Sequence, residues 1–338
     1  MHPFVYERAD DPLTAVRAAA GPRGDTPTAA PVQFLAGGTS LYDLMKLDVQ
    51  SPRTVVDING LKPRFSTLRA TDEGLTLGAL ARMATVADDQ TVVRDYPVIA
   101  QSLQLAASAQ LRNMASLAGN VLQRTRCSYF RDVSWSQCNK RIPGSGCAAL
   151  SGVNRKHAVL GVSDRCIAEY PGDFAQALIA LDAQVTIAGL SGERHIAFAD
   201  LHHSSGDSPE VETVLAPGDL ITSFFVPAGP WARRSLYLKV RDRQSYEFAS
   251  ASAAVALHME GQTVREVRIG LGGVAGKPWR AHEAEAALKG KPLTEQAAQA
   301  AAEAAFATAV THGGNAAKPE LGRRTLVRAL LQVQSMEA

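Results

Sequence analysis

All four cysteines of this 338-residue chain, Cys127, Cys138, Cys147 and Cys166, fall within 40 residues, and the other 298 positions contain none. The window that holds them, RTRCSYFRDVSWSQCNKRIPGSGCAALSGVNRKHAVLGVSDRC from Arg124 to Cys166, has neither helical nor strand periodicity. A stretch this rich in Gly, Ser, Asn and Arg cannot fold on a core of its own. Thiolate ligation would supply the missing constraint, with the metal as part of the folding.

The intervening gaps of 10, 8 and 18 residues match neither the paired CxxC zinc spacings nor the compact ferredoxin runs. Two disulfides suit a small secreted scaffold, not a chain of this length whose start, Met1 to Asp10, has no apolar export region. Four unrelated buried thiols would scatter through the cores. A four-thiolate centre remains, and both zinc and an iron–sulfur cluster satisfy it. GSGCAA, Gly144 to Ala149, fits a dinucleotide fingerprint in letters alone, because Pro143 precedes it where a strand is required and a candidate ligand, Cys147, sits inside it.

Outside the window the chain is ordinary: 46% hydrophobic and 20% charged, enough for real cores in two or three domains. With 35 Lys+Arg against 33 Asp+Glu and no basic run, nucleic acid is not an expected partner. No apolar stretch reaches 18 residues, so no membrane span is expected. By its own sequence the chain reads as cytoplasmic, with a periplasmic location open if a partner chain carries an export signal.

Strands are expected at Val32 to Leu35, Thr54 to Ile58, Leu75 to Leu77, Val185 to Ala188 and Leu220 to Val226. Helices are expected after Ser40, over Val98 to Ala109 and from Asp173. A linker at Pro227 to Pro230 leads to three further strands, Ser235 to Val240, Ala253 to Met259 and Glu266 to Leu271. Helices over Thr294 to Val310 and Glu320 to Gln334 follow, an α+β arrangement. The eight histidines, including the pair His202-His203, read as surface residues.

Between strand and helix, Ala36-Gly37-Gly38-Thr39-Ser40-Leu41 brings backbone N–H groups and hydroxyls together where an anion is favoured, and phosphate is the natural guest. Ser116-Leu117-Ala118-Gly119-Asn120 repeats the chemistry, so two turns could grip the two halves of a pyrophosphate. Either could equally be a turn that merely needs glycine. Lys239, beside Arg241, Asp242 and Arg243, reads on its own as a solvated strand lysine.

Five stretches, in order, carry a more specific signal: LAGGTSLYDLMKL, QLRNMASLAGNV, DFAQALIALDAQV, YLKVRDRQSYEFASASAAVAL and RIGLGGVAGKPWRAHEAEAAL. Together they resemble the FAD-binding medium subunit of the molybdenum hydroxylases, the xanthine dehydrogenase and carbon monoxide dehydrogenase family. The cysteine window resembles the [4Fe-4S] insert of the bacterial aldehyde oxidoreductase flavoprotein subunits.

The resemblance implies an α+β fold: a two-lobed FAD-binding domain of the vanillyl-alcohol oxidase/PCMH type, residues 1–60 and 61–228, with the cluster insert at 124–168. A C-terminal α+β domain, residues 229–338, would add a three-stranded antiparallel sheet with helices. FAD would lie on Ala36, Gly37, Gly38, Thr39, Ser40, Leu41, Ser116, Gly119 and Asn120. Asp173 would reach the adenosine side, and Ile221 and Lys239 the isoalloxazine. Ala118 stands where the family has glycine, a change the turn tolerates if φ is negative. Cys127, Cys138, Cys147 and Cys166 would hold [4Fe-4S].

The implied function is electron transfer in a heterotrimeric aldehyde oxidoreductase, from the [2Fe-2S] clusters of a small subunit to FAD and on to an external acceptor. Substrate chemistry would lie on a large molybdenum-cofactor subunit, so no catalytic residue is expected here. Rival readings are the medium subunit of a 4-hydroxybenzoyl-CoA-reductase-like enzyme and a zinc-stabilised binding subunit without redox chemistry.

Overall fold

The computed structural model describes residues 1–21 and 27–336, and its twelve strands form three sheets. In the first, β1 (Val5–Arg8), β2 (Val32–Leu35) and β3 (Thr54–Asp57) run parallel in the order β1-β3-β2. Parallel neighbours need crossover connections, which the helices Pro12–Ala19 and Leu41–Lys46 provide. Asp11 starts the first of these, its carboxylate accepting from the Thr14 N–H at 2.9 Å.

The second sheet is antiparallel, in the order β4-β5-β8-β6-β7, built from β4 (Leu68–Thr71), β5 (Gly74–Gly78), β6 (Gln184–Gly189), β7 (Gly192–Ala197) and β8 (Leu220–Pro227). Its inner face shares one core with the helices Pro97–Gln104 and Phe174–Ala180. Every residue of Phe174–Ala180 is buried, because that helix lies between this sheet and the third one.

The third sheet carries β9 (Ser235–Val240), β10 (Ala251–Glu260), β11 (Thr263–Gly272) and β12 (Trp279–Arg280), antiparallel in the order β12-β11-β10-β9. Three strands are expected from sequence, and the two-residue β12 is too short to leave a pattern. Helices Glu295–Ala305 and Lys318–Gln334 cover one face. The first stops five residues before the expected Val310, at a C-cap on Phe306. Likewise the helix expected over Val98 to Ala109 divides at Ala107, whose φ of +48° no helix accommodates.

The cysteine window has almost no regular structure: a single turn at Ser128–Arg131, a 3-10 turn at Ala148–Leu150, and isolated bridges Cys138↔Cys147 and Ser163↔Cys166. Gly144 to Ala149 is a loop there, with φ positive at Gly144 and Gly146, not a strand-to-helix crossing. The window borrows its core. Val159 and Leu160 join the hydrophobic cluster of the third sheet, and the Val159 N–H donates to the Val274 carbonyl at 2.8 Å. Phe130 and Cys138 pack with Leu44 and Val49 of the first region.

Candidate functional site

A cavity of about 380 Å³ is lined by both glycine turns, the loop 202–213 and the start of β8, a size usual for a preformed small-molecule site. The first turn is fixed by its surroundings. Asn59 Nδ2 donates to the Ala36 carbonyl at 2.9 Å, and the Asp57 carboxylate holds the Asn59 N–H at 2.8 Å. A Cβ on Gly37 would run into the Met114 carbonyl, and Gly38 has φ +75°, so both positions require glycine. From Gly38 to Leu41 the backbone N–H groups donate to no acceptor among the described residues. They face a cavity that Gly38, Thr39, Ser40 and Leu41 line, which is the arrangement an anion uses.

The second turn is built differently. Ser116 caps the helix Leu117–Val121, its Oγ accepting from the Gly119 N–H at 3.2 Å, while Leu117 and Ala118 donate to the Ala81 and Ala79 carbonyls at 3.1 and 3.0 Å. Asn120 N–H donates back to Ser116 O. This turn therefore supplies wall and a hydroxyl rather than spare N–H groups. Ser116, Ala118 and Gly119 line the cavity, and Ala118 has no positive φ, so its methyl group is accommodated. Asn120 does not line it.

Ile221, on β8, lines the cavity; Asp173 and Lys239 do not. Those two form a buried ion pair, Lys239 Nζ to Asp173 Oδ2 at 2.8 Å, with side chains 1% and 4% exposed. Tyr237 donates its hydroxyl to the other carboxylate oxygen at 2.6 Å, and Lys239 also donates to the Leu105 carbonyl. Lys239 is thus a core lysine and not the solvated strand residue that its charged neighbours suggest.

Several cavity residues have no motif to announce them. Arg124, with a side chain 9% exposed, donates through Nε to Glu212 Oε2 at 2.5 Å, while its Nη1 and Nη2 are buried without an acceptor among the described residues. Its guanidinium lies over the Phe130 ring, 4.9 Å from the centroid. Lys140 donates to the other Glu212 oxygen at 3.0 Å and to the Pro209 carbonyl at 2.9 Å. Arg124 and Lys140 hold the Glu212 carboxyl down, at about 2, against the opposing effect of burial. Burial pushes Glu169 up to about 6 even with Lys318 Nζ at 2.6 Å.

His202 is buried in the same wall, not on the surface as the sequence suggests. One ring nitrogen, Nε2, lies 3.2 Å from the Val121 carbonyl, and burial brings its pKa down to about 4. A neutral imidazole donating from Nε2 satisfies both facts.

All four cysteines are free thiols and line a second enclosed space of about 10 Å³, with Phe130, Asn139 and Lys140. The fold brings residues as far apart as Cys127 and Cys166 to one space, and Cys138 is bridged to Cys147. Hydrogen bonding from Cys166 lowers the Cys147 thiol, to about 6, and correspondingly raises Cys166, whereas burial pushes Cys127 up to about 12. His157 Nε2 lies 3.2 Å from Cys127 Sγ. Among the described residues no three His, Cys, Asp or Glu side chains stand as a single-ion site. The donor set, four soft thiols lining one space, suits a thiolate-ligated centre by its chemistry.

Residues 11–229 match the family described as the FAD binding domain in molybdopterin dehydrogenase, and residues 236–336 the CO dehydrogenase flavoprotein C-terminal domain. The chain is 44% identical over 337 residues, 99% of each chain, to the aldehyde oxidoreductase FAD-binding subunit PaoB of Escherichia coli. It is 26% identical to the carbon monoxide dehydrogenase medium chain of Hydrogenophaga pseudoflava, over 81% of this chain and 78% of that one. A solved carbon monoxide dehydrogenase from H. pseudoflava superposes with a TM-score of 0.75 at 25% identity, covering 99% of both chains. The FAD cavity fits that likeness through its own features: the spare N–H groups at Gly38 to Leu41 and the unpaired guanidinium edge of Arg124 both call for an anionic guest.

Proposed function

The chain belongs to the FAD-binding medium subunits of the molybdenum hydroxylase family, and from that premise we propose that it is the flavin- and cluster-bearing electron-transfer subunit of an aldehyde oxidoreductase. The observation that carries this reading is the whole-length identity to an aldehyde oxidoreductase subunit, joined to a cavity that presents free N–H groups on one wall. Bound FAD would supply two-electron and one-electron chemistry in one cofactor.

The chain's own residues bind and hold. Gly38 to Leu41 receive the pyrophosphate, Ser116 and Gly119 close the opposite wall, and Ile221 packs against the ring system. Arg124 offers its free guanidinium edge to an anionic part of the cofactor. Asp173 and Lys239 act from behind, as a buried strut between the helix Phe174–Ala180 and β9. The lobes are residues 1–60 and 61–228, with the insert at 124–168 and the C-terminal domain at 229–338.

Cys127, Cys138, Cys147 and Cys166 ligate one [4Fe-4S] cluster. Partners are a small [2Fe-2S] subunit and a large molybdenum-cofactor subunit, with an external acceptor. No described helix is long and apolar enough to cross a membrane.

Cofactor analysis of the isolated chain, separated from its partners, tests the reading. About four iron and four sulfide per FAD are expected, with the flavin released by acid precipitation. Stoichiometric zinc without iron would establish the zinc-stabilised rival, and absence of flavin would defeat the reading altogether.

A further inference from the structure

Lys140 is the residue that the two cavities share. It lines the large cavity with Arg124 and Glu212, and it lines the cysteine space with Cys127, Cys138, Cys147 and Cys166. Its side chain is 7% exposed, so the ammonium sits in the partition itself. Glu212 is the counter-ion, bonded on one oxygen to Lys140 and on the other to Arg124. Two cations, their side chains 7% and 9% exposed, and one carboxylate, 26% exposed, leave the partition with a net positive charge, and the buried cations act more strongly than they would at the surface.

We propose that Lys140, held by Glu212, is an electrostatic tuning residue common to both redox centres, so that one buried charge favours the reduced form of the cluster and of the flavin together. This rests on the cluster reading above. A centre that gains an electron becomes one unit more negative, and a fixed cation beside it stabilises that state and raises the potential. Glu212 has the opposite sign and the opposite effect. The arrangement therefore predicts a sign relation between two substitutions, which mere loosening of the fold would not produce.

The test is a redox titration of the purified holo-complex, following the cluster by electron paramagnetic resonance and the flavin by its visible spectrum. Lys140→Met should shift both midpoint potentials to more negative values, Glu212→Gln should shift both to more positive values, and Lys140→Arg should restore the wild-type values. Where Lys140→Met fails to retain cofactors, the Glu212→Gln and Lys140→Arg variants still decide the matter. Shifts in the same direction for Met and Gln variants, or unchanged potentials in a fully loaded protein, would overturn the inference alone. A wild-type chain without iron would show itself before any variant is compared, and would remove the cluster reading and this inference with it.

Discussion

The wall of the large cavity and the wall of the cysteine space are a few residues apart in sequence and differ in what holds them. The first is made of strand ends and helix starts whose positions are fixed by two sheets and their cores. The second is loop, packed on neighbours and joined to them by a few bridges. Hydrophobic burial thus fixes one region, while the adjoining one leans on packing against its neighbours, and on the cluster reading proposed above a ligand would add to its order.

That contrast is open to direct attack. Chelation of iron from the native protein, or a Cys138→Ser change, should produce the largest effect. Limited proteolysis should cut within residues 127–166 while flavin fluorescence quenching by the cavity persists. Simultaneous loss of both would mean the two walls are one cooperative unit. Next in size, Gly37→Val should weaken FAD by roughly 100-fold or more, since the side chain must displace the Met114 backbone at a cost of ~1–3 kcal/mol on top of lost N–H geometry. Equilibrium dialysis with FAD reads this directly.

Lys318→Met tests the seam between insert and C-terminal helix. Removing one member of a buried pair costs about 3–5 kcal/mol, and Lys318 also donates to the Lys156 carbonyl at 2.7 Å. Glu169 already sits at about 6, so in the variant it can take up a proton at low pH and relieve the cost. Denaturation at pH 8 should therefore show a larger deficit than at pH 5; equal deficits would mean the ion pair carries none of it.

The smallest effect concerns pH. Glu212 is held near 2 against an ordinary value of 4.5, so its stabilising contribution is full above pH 4.5 and is lost as the pH falls toward 2. About a quarter of its side chain is open to the cavity, which screens the pair and brings the contribution to about 1–2 kcal/mol. Glu212→Gln should flatten that part of the acid stability curve, and an unchanged curve would assign the acid loss to other carboxylates.

What could be read from the sequence follows from burial. Thr54–Asp57 and Leu220–Pro227 carry apolar residues because they face cores, and Val32 and Phe34 pack half-buried against one, so these runs stand out. By contrast β1, β4 and β7 are mostly exposed edge strands, held by pairing registers that leave no alternation in VYER, LRAT or GERHIA. Gly37 and Gly38 were legible because close approach and positive φ admit nothing else. Arg124, Lys140 and Glu212 were not, because a charge in a loop carries no mark of the partner 72 or 88 residues away that buries it. His202 was hidden in the same way: only the fold turns a loop histidine into a cavity wall.

The staple from Lys318 to the cysteine window has a consequence for synthesis. Lys318 grips Glu169, the Lys156 carbonyl and the Gly273 carbonyl, yet it leaves the ribosome 152 residues after Cys166, a lag of about 8–30 s at usual elongation rates. Until then the window has its contacts to Val274 and Ala275 but lacks this last one from the C-terminal helix. On the cluster reading proposed above, a centre loaded during that interval would meet a loop that this staple has not yet closed.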